Sequence, residues 1–149
     1  MKLEHHIALS AIISGILYAA FKSWGLSLSS LLSGIFIDTD HIIDYLVAHG
    51  RSIRRSDFFS FFYEEKHRKI TLIFHGWEWL FCLGAIAVST EFNPWVTGLL
   101  IGYGHHITSD FLYNKANLKA YSLIWRWKNN FDSRKIFPRD RGYNPRDNK

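Results

Sequence analysis

The chain has 149 residues, of which 48% are hydrophobic and 17% aromatic, and a formal net charge of +5. A chain of this length is typical of one domain with one core. Its single cysteine, Cys82, excludes an intramolecular disulfide and fits a reducing compartment. The apolar and aromatic content indicates that much of this surface is hidden in a core, in a partner or in a lipid bilayer.

Three apolar stretches with almost no charge organise the chain. The first is interrupted at Gly25 and is followed by Gly50, and the last opens at Asn93-Pro94, where proline suits the first turn of a helix. No strand-like alternation is sustained, so the fold class is predicted to be all-α. We expect an antiparallel bundle of four main helices, plus short accessory helices, with the main helices at about residues 5–24, 27 or 29 to 48, 66–89 and 94–114.

Residues 1–114 are predicted to form this bundle, and residues 115–149 a basic, aromatic-containing extension that packs on it or trails from the same domain. Residues 114–149 carry ten Lys or Arg against three Asp, which suits a nucleic acid, an anionic membrane surface or simple solvation. Between the second and third helices, residues 51–65 mix charges with five aromatic side chains. We expect a short amphipathic helix there, lying over the bundle or on a membrane surface.

The predicted helices are marginal membrane spans. A hydrocarbon core of about 30 Å requires about 20 apolar residues, and these helices barely reach that length and contain serines and histidines. Glu4, His5 and His6 interrupt the positively charged N-terminal region that a secretory signal peptide would have. The N-terminus is therefore not predicted to be a signal peptide.

Histidines and acids gather near one end of each predicted helix. If consecutive helices are antiparallel, these ends meet, and a metal site is expected at that end of the bundle. The groups are His5 and His6 in the first helix, Asp38, Asp40, His41 and Asp44 in the second, His75 and Glu78 in the third, and His105, His106 and Asp110 in the fourth.

The spacing within these groups supports the same site. Residues three or four apart share a helix face, and His106 with Asp110 and His41 with Asp38 are such pairs. Imidazole nitrogen and carboxylate oxygen suit Zn²⁺, Mn²⁺ or Fe, and helices that each contribute two ligands are typical of di-metal bundles. More than four candidate ligands indicates two ions, whereas solvated helix ends are the alternative for His5 and Asp44.

Two stretches carry a family resemblance. GIFIDTDHIIDY, residues 34–45, resembles the Leu-Pro-Asp-x-Asp-His stretch of the membrane-bound metal-dependent hydrolases of the YdjM type, although Ile37 replaces the proline. GYGHHITSDFLYN, residues 102–114, resembles that family's Gly-Tyr-x-x-His-x-x-x-Asp stretch. With an early histidine in EHHIALS and a later one at position 75, the resemblance covers roughly residues 4–114. It implies metal ligation by His6, Asp38, Asp40, His41, His75, His106 and Asp110.

The resemblance also implies an activity. The family is similar in its helix-borne His/Asp ligands to zinc-dependent phospholipase C, which implies hydrolysis of a phosphoester by water activated on one or two divalent ions, zinc first and Mn or Fe as alternatives. Asp40 is expected to bridge the ions or accept a proton, with Asp38 the second catalytic candidate. Arg54, Arg55 and Arg126 are candidates to hold an anionic substrate. A phosphohydrolase of the HD type is a rival, but the chain has no adjacent His-Asp pair.

The expected substrate is a phosphorylated or lipid-like small molecule. The alternative function is a non-enzymatic helical protein that binds a membrane, or a nucleic acid through its basic tail, and whose polar cluster is only a buried network. Because charged segments gather at the ligand end, the positive-inside rule places that end on the cytoplasmic side of a membrane. A soluble cytoplasmic form is the alternative localisation.

Overall fold

The computed structural model of the protein describes residues 3–49, 69, 71–114 and 117–136. These ranges contain helices and an isolated bridge between Lys69 and Asp132, and no strand, which confirms the all-α prediction. The helices are α1 (Leu3–Phe21), α2 (Trp24–Phe36), α3 (Thr39–His49), α4 (Trp77–Ser89), α5 (Pro94–Asn114), the 3₁₀-helix η1 (Leu118–Tyr121), α6 (Leu123–Lys128) and α7 (Ser133–Ile136).

A pair of serines holds α1 against α2. After a turn at Lys22 (φ 52°), the side chain of Ser23 caps α2 by accepting a hydrogen bond from the Leu26 amide. The hydroxyl of Ser14 donates to the Ser27 carbonyl (2.7 Å), and that of Ser27 donates to the Ser14 carbonyl (2.8 Å). The reciprocal bonds keep both hydroxyls paired inside the contact, and α1 and α2 run antiparallel.

Glycines allow α2 and α5 to approach closely. A Cβ atom at Gly98 would overlap the Ser29 hydroxyl and the Leu26 carbonyl, and one at Gly102 would overlap the Ser30 carbonyl. Small residues at such positions let two helix backbones come together. Because the pairs advance in the same direction along both helices, α2 and α5 run parallel.

The α4–α5 hairpin and residues 117–125 enclose the apolar core. A tight turn joins the two helices, and the side chain of Asn93 accepts a hydrogen bond from the Trp95 amide at the start of α5 (3.0 Å). Trp77 packs against Phe111 and Tyr121, with 5.9 Å between ring centroids in each case. The described part of the C-terminal extension therefore packs against these helices.

Two predicted helix boundaries are wrong. The expected second helix breaks at Ile37 and Asp38, where the Thr39 hydroxyl turns back to donate to the Phe36 carbonyl (2.6 Å). The expected third helix begins at Trp77 and not near residue 66, so His75 precedes it. The amphipathic helix predicted over residues 51–65 lies outside the described residues.

The polarity of α1 and α2 is inverted relative to a water-soluble bundle. Their buried positions hold mainly polar residues, whereas large apolar side chains of all four long helices are exposed. Of the described helices, α1 has the length and composition of a membrane span. The outward apolar residues include Ile12, Ile16, Leu28, Leu32, Phe81, Val88, Leu99 and Leu112, and the buried polar ones include Ser10, Ser14, Ser27, Ser29 and Ser30.

Candidate metal centre

Six of the predicted ligands meet at the end of the bundle where α1 begins and α5 ends. In each of two groups, every residue offers one ligand atom, and these atoms lie within 4.8 Å of one another. Asp38, in the turn between α2 and α3, belongs to both groups. The first group is His6, Asp38, His106 and Asp110, and the second is Asp38, His41 and His75.

The nitrogen and oxygen atoms of these groups face a common centre. His75 Nε2 lies 3.4 Å from Asp38 Oδ1 and 3.3 Å from Asp110 Oδ2. His106 Nε2 lies 3.4 Å from the same Asp38 oxygen, and His6 Nε2 lies 3.0 Å from Asp110 Oδ1. These separations are short enough for several atoms to share one or two ions.

The hydrogen bonds on the far side of two rings fix which nitrogen faces the centre as an acceptor. His106 Nδ1 lies 2.8 Å from the Gly34 carbonyl, which can only accept, so this nitrogen donates. His75 Nδ1 donates in the same way to Asp40 Oδ2 (3.0 Å). In their neutral forms both Nε2 atoms therefore carry lone pairs, and they lie 3.3 Å apart, facing carboxylates. Such a cluster of acceptors needs a proton or a metal cation between them.

The ionisation of the chain alone also favours a positive charge at this centre. Burial lowers the pKa of His75, but the charge of Asp40 and hydrogen bonds to Asp110, Asp38 and Asp40 outweigh it and hold that pKa well above its ordinary value. Burial raises the pKa of Asp38, but hydrogen bonds to His106 and His75 bring it well below the usual range. A proton on His75 thus occupies the position that a cation would take.

The segment that carries His75 is not helical, and acidic side chains from α3 hold it. Asp44 Oδ2 accepts hydrogen bonds from the amides of residues 71 and 72 (2.8 and 3.1 Å). Asp40 Oδ2 accepts from the Phe74 amide (2.9 Å) as well as from His75 Nδ1. The two aspartates stand four positions apart on one face of α3, so they bind the segment side by side.

Arg126 holds the other side of the same segment. Its side chain is 1% exposed, and it donates to the carbonyl of Thr71 (2.8 Å) and to that of His75 (2.7 Å). Glu78 fixes the helix that carries Arg126, because its carboxylate accepts from the Ser122 hydroxyl and from the amides of residues 123 and 124. Such a carboxylate at a helix N-terminus satisfies donors that have no partner within the helix.

Tyr103 completes the set of contacts around His75. Its hydroxyl accepts from the Gly76 amide (3.1 Å) and lies 2.7 Å from the Phe74 carbonyl and 2.6 Å from the Gly76 carbonyl, to one of which it donates. Sequence reasoning missed this residue. The available signal was its position three residues before His106 in α5, which places both on one face.

The structure separates the two pairs of adjacent histidines. His6 is buried in the first group and His5 is exposed. His106 lies in the first group, whereas neither ring nitrogen of His105 has a hydrogen-bond partner among the described residues. In each pair only one histidine therefore reaches the centre.

Asp40 and Arg126 differ from their expected roles. Asp40 belongs to neither group, because its Oδ2 is used to orient His75, and its buried Oδ1 has no partner within the described part of the chain. Arg126 is occupied by backbone carbonyls and is not available to a substrate. The other two arginines suggested for substrate binding, Arg54 and Arg55, lie outside the described residues.

Among the described residues, the centre reaches the surface through Asp38 and His41. The side chains of His6, His75 and His106 are at most 2% exposed, whereas those of Asp38 and His41 are 17% and 28% exposed. These two residues lie at the α2–α3 turn. The candidate centre is therefore open on that side, while the side chains of His6, His75 and His106 lie deeper.

Comparison of the chain with protein-family models, with curated proteins and with solved structures finds no match in any of the three.

Proposed function

We propose that the protein is a divalent-metal-dependent hydrolase, a phosphoesterase whose ions are held by His6, Asp38, His41, His75, His106 and Asp110. The observation that carries the proposal is the convergence of the Nε2 lone pairs of neutral His75 and His106 with the carboxylate oxygens of Asp38 and Asp110 on one buried centre. Zinc is the expected metal because it takes mixed nitrogen and oxygen ligands, with Mn²⁺ and Fe as alternatives.

The two ligand groups favour two ions that share Asp38. One ion would be held by His6, His106 and Asp110, and the other by His41 and His75, with Asp38 between them. A metal ion in such a site lowers the pKa of its water to about 7 and polarises the phosphoryl group. Asp40 orients His75 from behind and contributes no ligand atom.

The reaction that fits this arrangement is hydrolysis of a phosphoester. One P–O bond forms to the oxygen of water while the bond to the leaving oxygen breaks; one water proton is lost and the leaving oxygen takes up one. Asp38 is the partly exposed carboxylate at the opening, so its side chain would lie beside the reacting phosphoester. The products are an alcohol and a phosphate with one ester bond fewer.

The inverted polarity of the bundle favours a location in a membrane. Exposed apolar side chains lie on α1, α2, α4 and α5, while serines and glycines line the α1–α2 and α2–α5 contacts. The turns at the end remote from the site carry Lys22 and Glu91, and the basic extension follows the site end. The positive-inside rule then places the metal centre on the cytoplasmic side.

Metal content of matched histidine variants tests the proposal. His6→Ala and His106→Ala each remove a ligand, and His5→Ala and His105→Ala remove the neighbouring histidine that does not reach the centre. We expect the purified wild type and the two controls to contain bound metal and the two ligand variants to contain clearly less, because each removes a ligand of the first group. Equal metal in all five proteins, or none in the wild type, would sink the proposal and favour a buried ionic network built on protonated His75.

A further inference from the structure

Helix α6 presents two faces of different chemistry. Arg126, on its inner face, is buried and donates hydrogen bonds to carbonyls of the segment before α4. Ile124 and Trp127 are 54% and 67% exposed, and Lys128 is exposed as well. Since Ile124 stands three positions before Trp127 and four before Lys128, the three residues share the face opposite Arg126. This outer face of α6 therefore combines two apolar side chains with a positive charge.

The charge around the outer face of α6 is positive. From residue 115 to residue 131 the sequence contains Lys and Arg but no Asp or Glu. Lys135 is exposed, and its ammonium group donates to the side-chain oxygen of Asn129 (2.8 Å), the residue that follows Lys128. The charge of Asp132 is balanced, because its carboxylate pairs with Arg134. An anionic surface therefore complements the outer face of α6.

Helix α6 lies at the end of the bundle where α4 begins. A Cβ atom at Gly76 would lie 3.2 Å from the Cβ of Leu123, the first residue of α6. The Glu78 carboxylate accepts hydrogen bonds from two amides of α6, which holds the helix in that place. Further along α4, the side chains of Phe81 and Val88 are exposed. In a membrane these two side chains would face lipid, so α6 would lie near the boundary between lipid and water.

The apolar part of the outer face distinguishes two anionic partners, a lipid surface and a nucleic acid. Proteins bind single-stranded nucleic acids with cations and with aromatic rings that stack on bases, and the aliphatic side chain of Ile124 provides neither. An amphipathic helix on a membrane surface buries aliphatic and aromatic side chains at the boundary and keeps its cations near the anionic headgroups. Tryptophan is enriched at the same level of a membrane. The combination on α6 therefore fits a lipid surface better.

We propose that the outer face of α6 binds the headgroups of anionic lipids at the membrane surface. Ile124 and Trp127 lie at the boundary between headgroups and acyl chains, while Lys128 and Lys135 pair with the lipid phosphates. The lipids are bound and are not altered. This surface is separate from the metal ligands, so the proposal goes beyond the hydrolase function and does not depend on it.

Fluorescence quenching in reconstituted vesicles tests the proposal on the full-length protein. The exposed Cys82 is first replaced by Cys82→Ser, and an apolar fluorophore is then attached at Ile124→Cys or, as the control, at Val88→Cys. Both positions hold exposed β-branched residues, but Val88 lies near the other end of α4. The vesicles contain equal amounts of phosphatidylglycerol and phosphatidylcholine, and one of the two lipids is brominated in its acyl chains.

The quantity measured is the relative association constant of phosphatidylglycerol over phosphatidylcholine. At position 124 we expect it to be about fivefold or more, the effect of one or more cations near an anionic surface. At position 88 we expect no preference between the two lipids. Equal constants at the two positions would overturn the proposal.

Two exposed lysines provide a matched pair of variants. Lys128→Gln removes a charge from the outer face, and Lys22→Gln removes one from the turn between α1 and α2. We expect Lys128→Gln to lower the constant measured at position 124 about fivefold and Lys22→Gln to leave it unchanged. The same constant in both variants would contradict the role of Lys128.

A neutral quencher in water, acrylamide, shows whether the outer face meets lipid. We expect it to quench the fluorophore at position 124 less in vesicles that contain phosphatidylglycerol than in vesicles of phosphatidylcholine alone. Equal quenching in both would mean that the face stays in water, which overturns the proposal. A change of emission with added oligodeoxythymidine, but none with phosphatidylglycerol, would overturn it in favour of a nucleic acid.

Discussion

His75 is the residue at which most contacts of the candidate metal centre converge. Asp40 and the centre engage its two ring nitrogens, and Arg126 binds its carbonyl. The ring is therefore fixed in position before any ion binds. Substituting the contacting residues one at a time should distinguish the effect of the Asp40 charge on the His75 pKa from the structural effect of the other contacting residues.

Asp40→Asn is expected to lower the pKa of His75 in the metal-free protein. Burial lowers this pKa, and the negative charge of Asp40 is the largest influence that raises it. A raised histidine pKa adds stability that is fully present below the unfolded value of about 6.5 and is lost as pH rises through the folded value. We therefore expect the variant to lose that stabilisation at a lower pH than the wild type.

The measurement is NMR titration of the His75 imidazole, with unfolding followed at several pH values. Asp44→Asn is the control, because Asp44 binds the same segment but contacts residues 71 and 72 and not the ring. If the His75 pKa is the same in Asp40→Asn as in Asp44→Asn, the role assigned to Asp40 is wrong. Loss of Asp40 should also weaken zinc binding by 10- to 100-fold, as is usual for a group that orients a ligand.

Arg126→Met is expected to destabilise the protein by about 3 kcal/mol, because it removes two hydrogen bonds from a charged donor and leaves buried carbonyls unpaired. Arg126→Lys should recover part of this loss. Arg134→Met is the matched control, since that side chain is exposed and pairs with Asp132, and exposed pairs contribute about 0–1 kcal/mol. Chemical denaturation measures all three, and similar losses in the two methionine variants would contradict the buried role of Arg126.

At the scale of single residues, the sequence did not predict the direction in which every side chain of the candidate centre points. The pairing of His106 with Asp110 follows from helical spacing, and the structure brings both to the centre. The roles of Asp40 and Asp38 do not follow from spacing, because the break after Ile37 turns the two carboxylates to different partners. After that break, Asp40 contacts the segment around His75, which is distant in sequence.

At the scale of elements, the contact between α2 and α5 determines the geometry of the centre. The two helices touch through glycines, and beyond these the Gly34 carbonyl receives the Nδ1 hydrogen of His106. A wider spacing would lengthen that bond and release the ring. Packing of the bundle and orientation of a ligand are therefore coupled.

Gly98→Ala is expected to cost about 1–3 kcal/mol, the usual range for an overpacked contact, because the added methyl group would overlap Ser29 and the Leu26 carbonyl. Gly84→Ala is the control, since nothing lies within 4 Å of its Cβ position and alanine favours the helix. We expect weaker zinc binding in the first variant and none of these losses in the second. Thermal unfolding and a zinc titration measure both, and identical behaviour would exclude the close contact.

Local signals predicted α5 but not the start of α4. Asn93 and Pro94 open α5, and the structure begins the helix there. The apolar residues from Ile70 to Phe74 extend the helical pattern toward α4 in the sequence. Described residues of this stretch are instead held out of the helix by hydrogen bonds from α3, α5 and α6, which sequence periodicity does not record.

At the scale of the whole molecule, the centre joins parts of the chain that are far apart in sequence. His6 and Asp110 lie 104 positions apart and are 3.0 Å from each other. An ion bound there would connect α1, the α2–α3 turn, the segment before α4, and α5. Such an ion binds the folded chain and not the unfolded one, so it should stabilise the fold.

Chelation is expected to lower the midpoint of thermal unfolding of the wild type. At a metal concentration about 1,000 times the dissociation constant, binding adds about 4 kcal/mol of stability. His106→Ala should respond less to the chelator than the wild type, because it removes a ligand of the first group, and His105→Ala should respond as the wild type does. An unchanged midpoint in the chelated wild type would mean that no structural ion is present.

Gly34 shows how one position can be constrained twice. A side chain there would overlap the Ser10 hydroxyl and come within 2.7 Å of His105 Nε2, while the carbonyl of the same residue holds His106. Because the hydrogen-bond acceptor is the backbone carbonyl of Gly34, a substitution at this position does not remove it. The added side chain would instead displace it. A substitution at Gly34 would therefore change the packing of the helices and the hydrogen bond that sets the tautomer of His106 at the same time. Neither property can be changed at this position without the other.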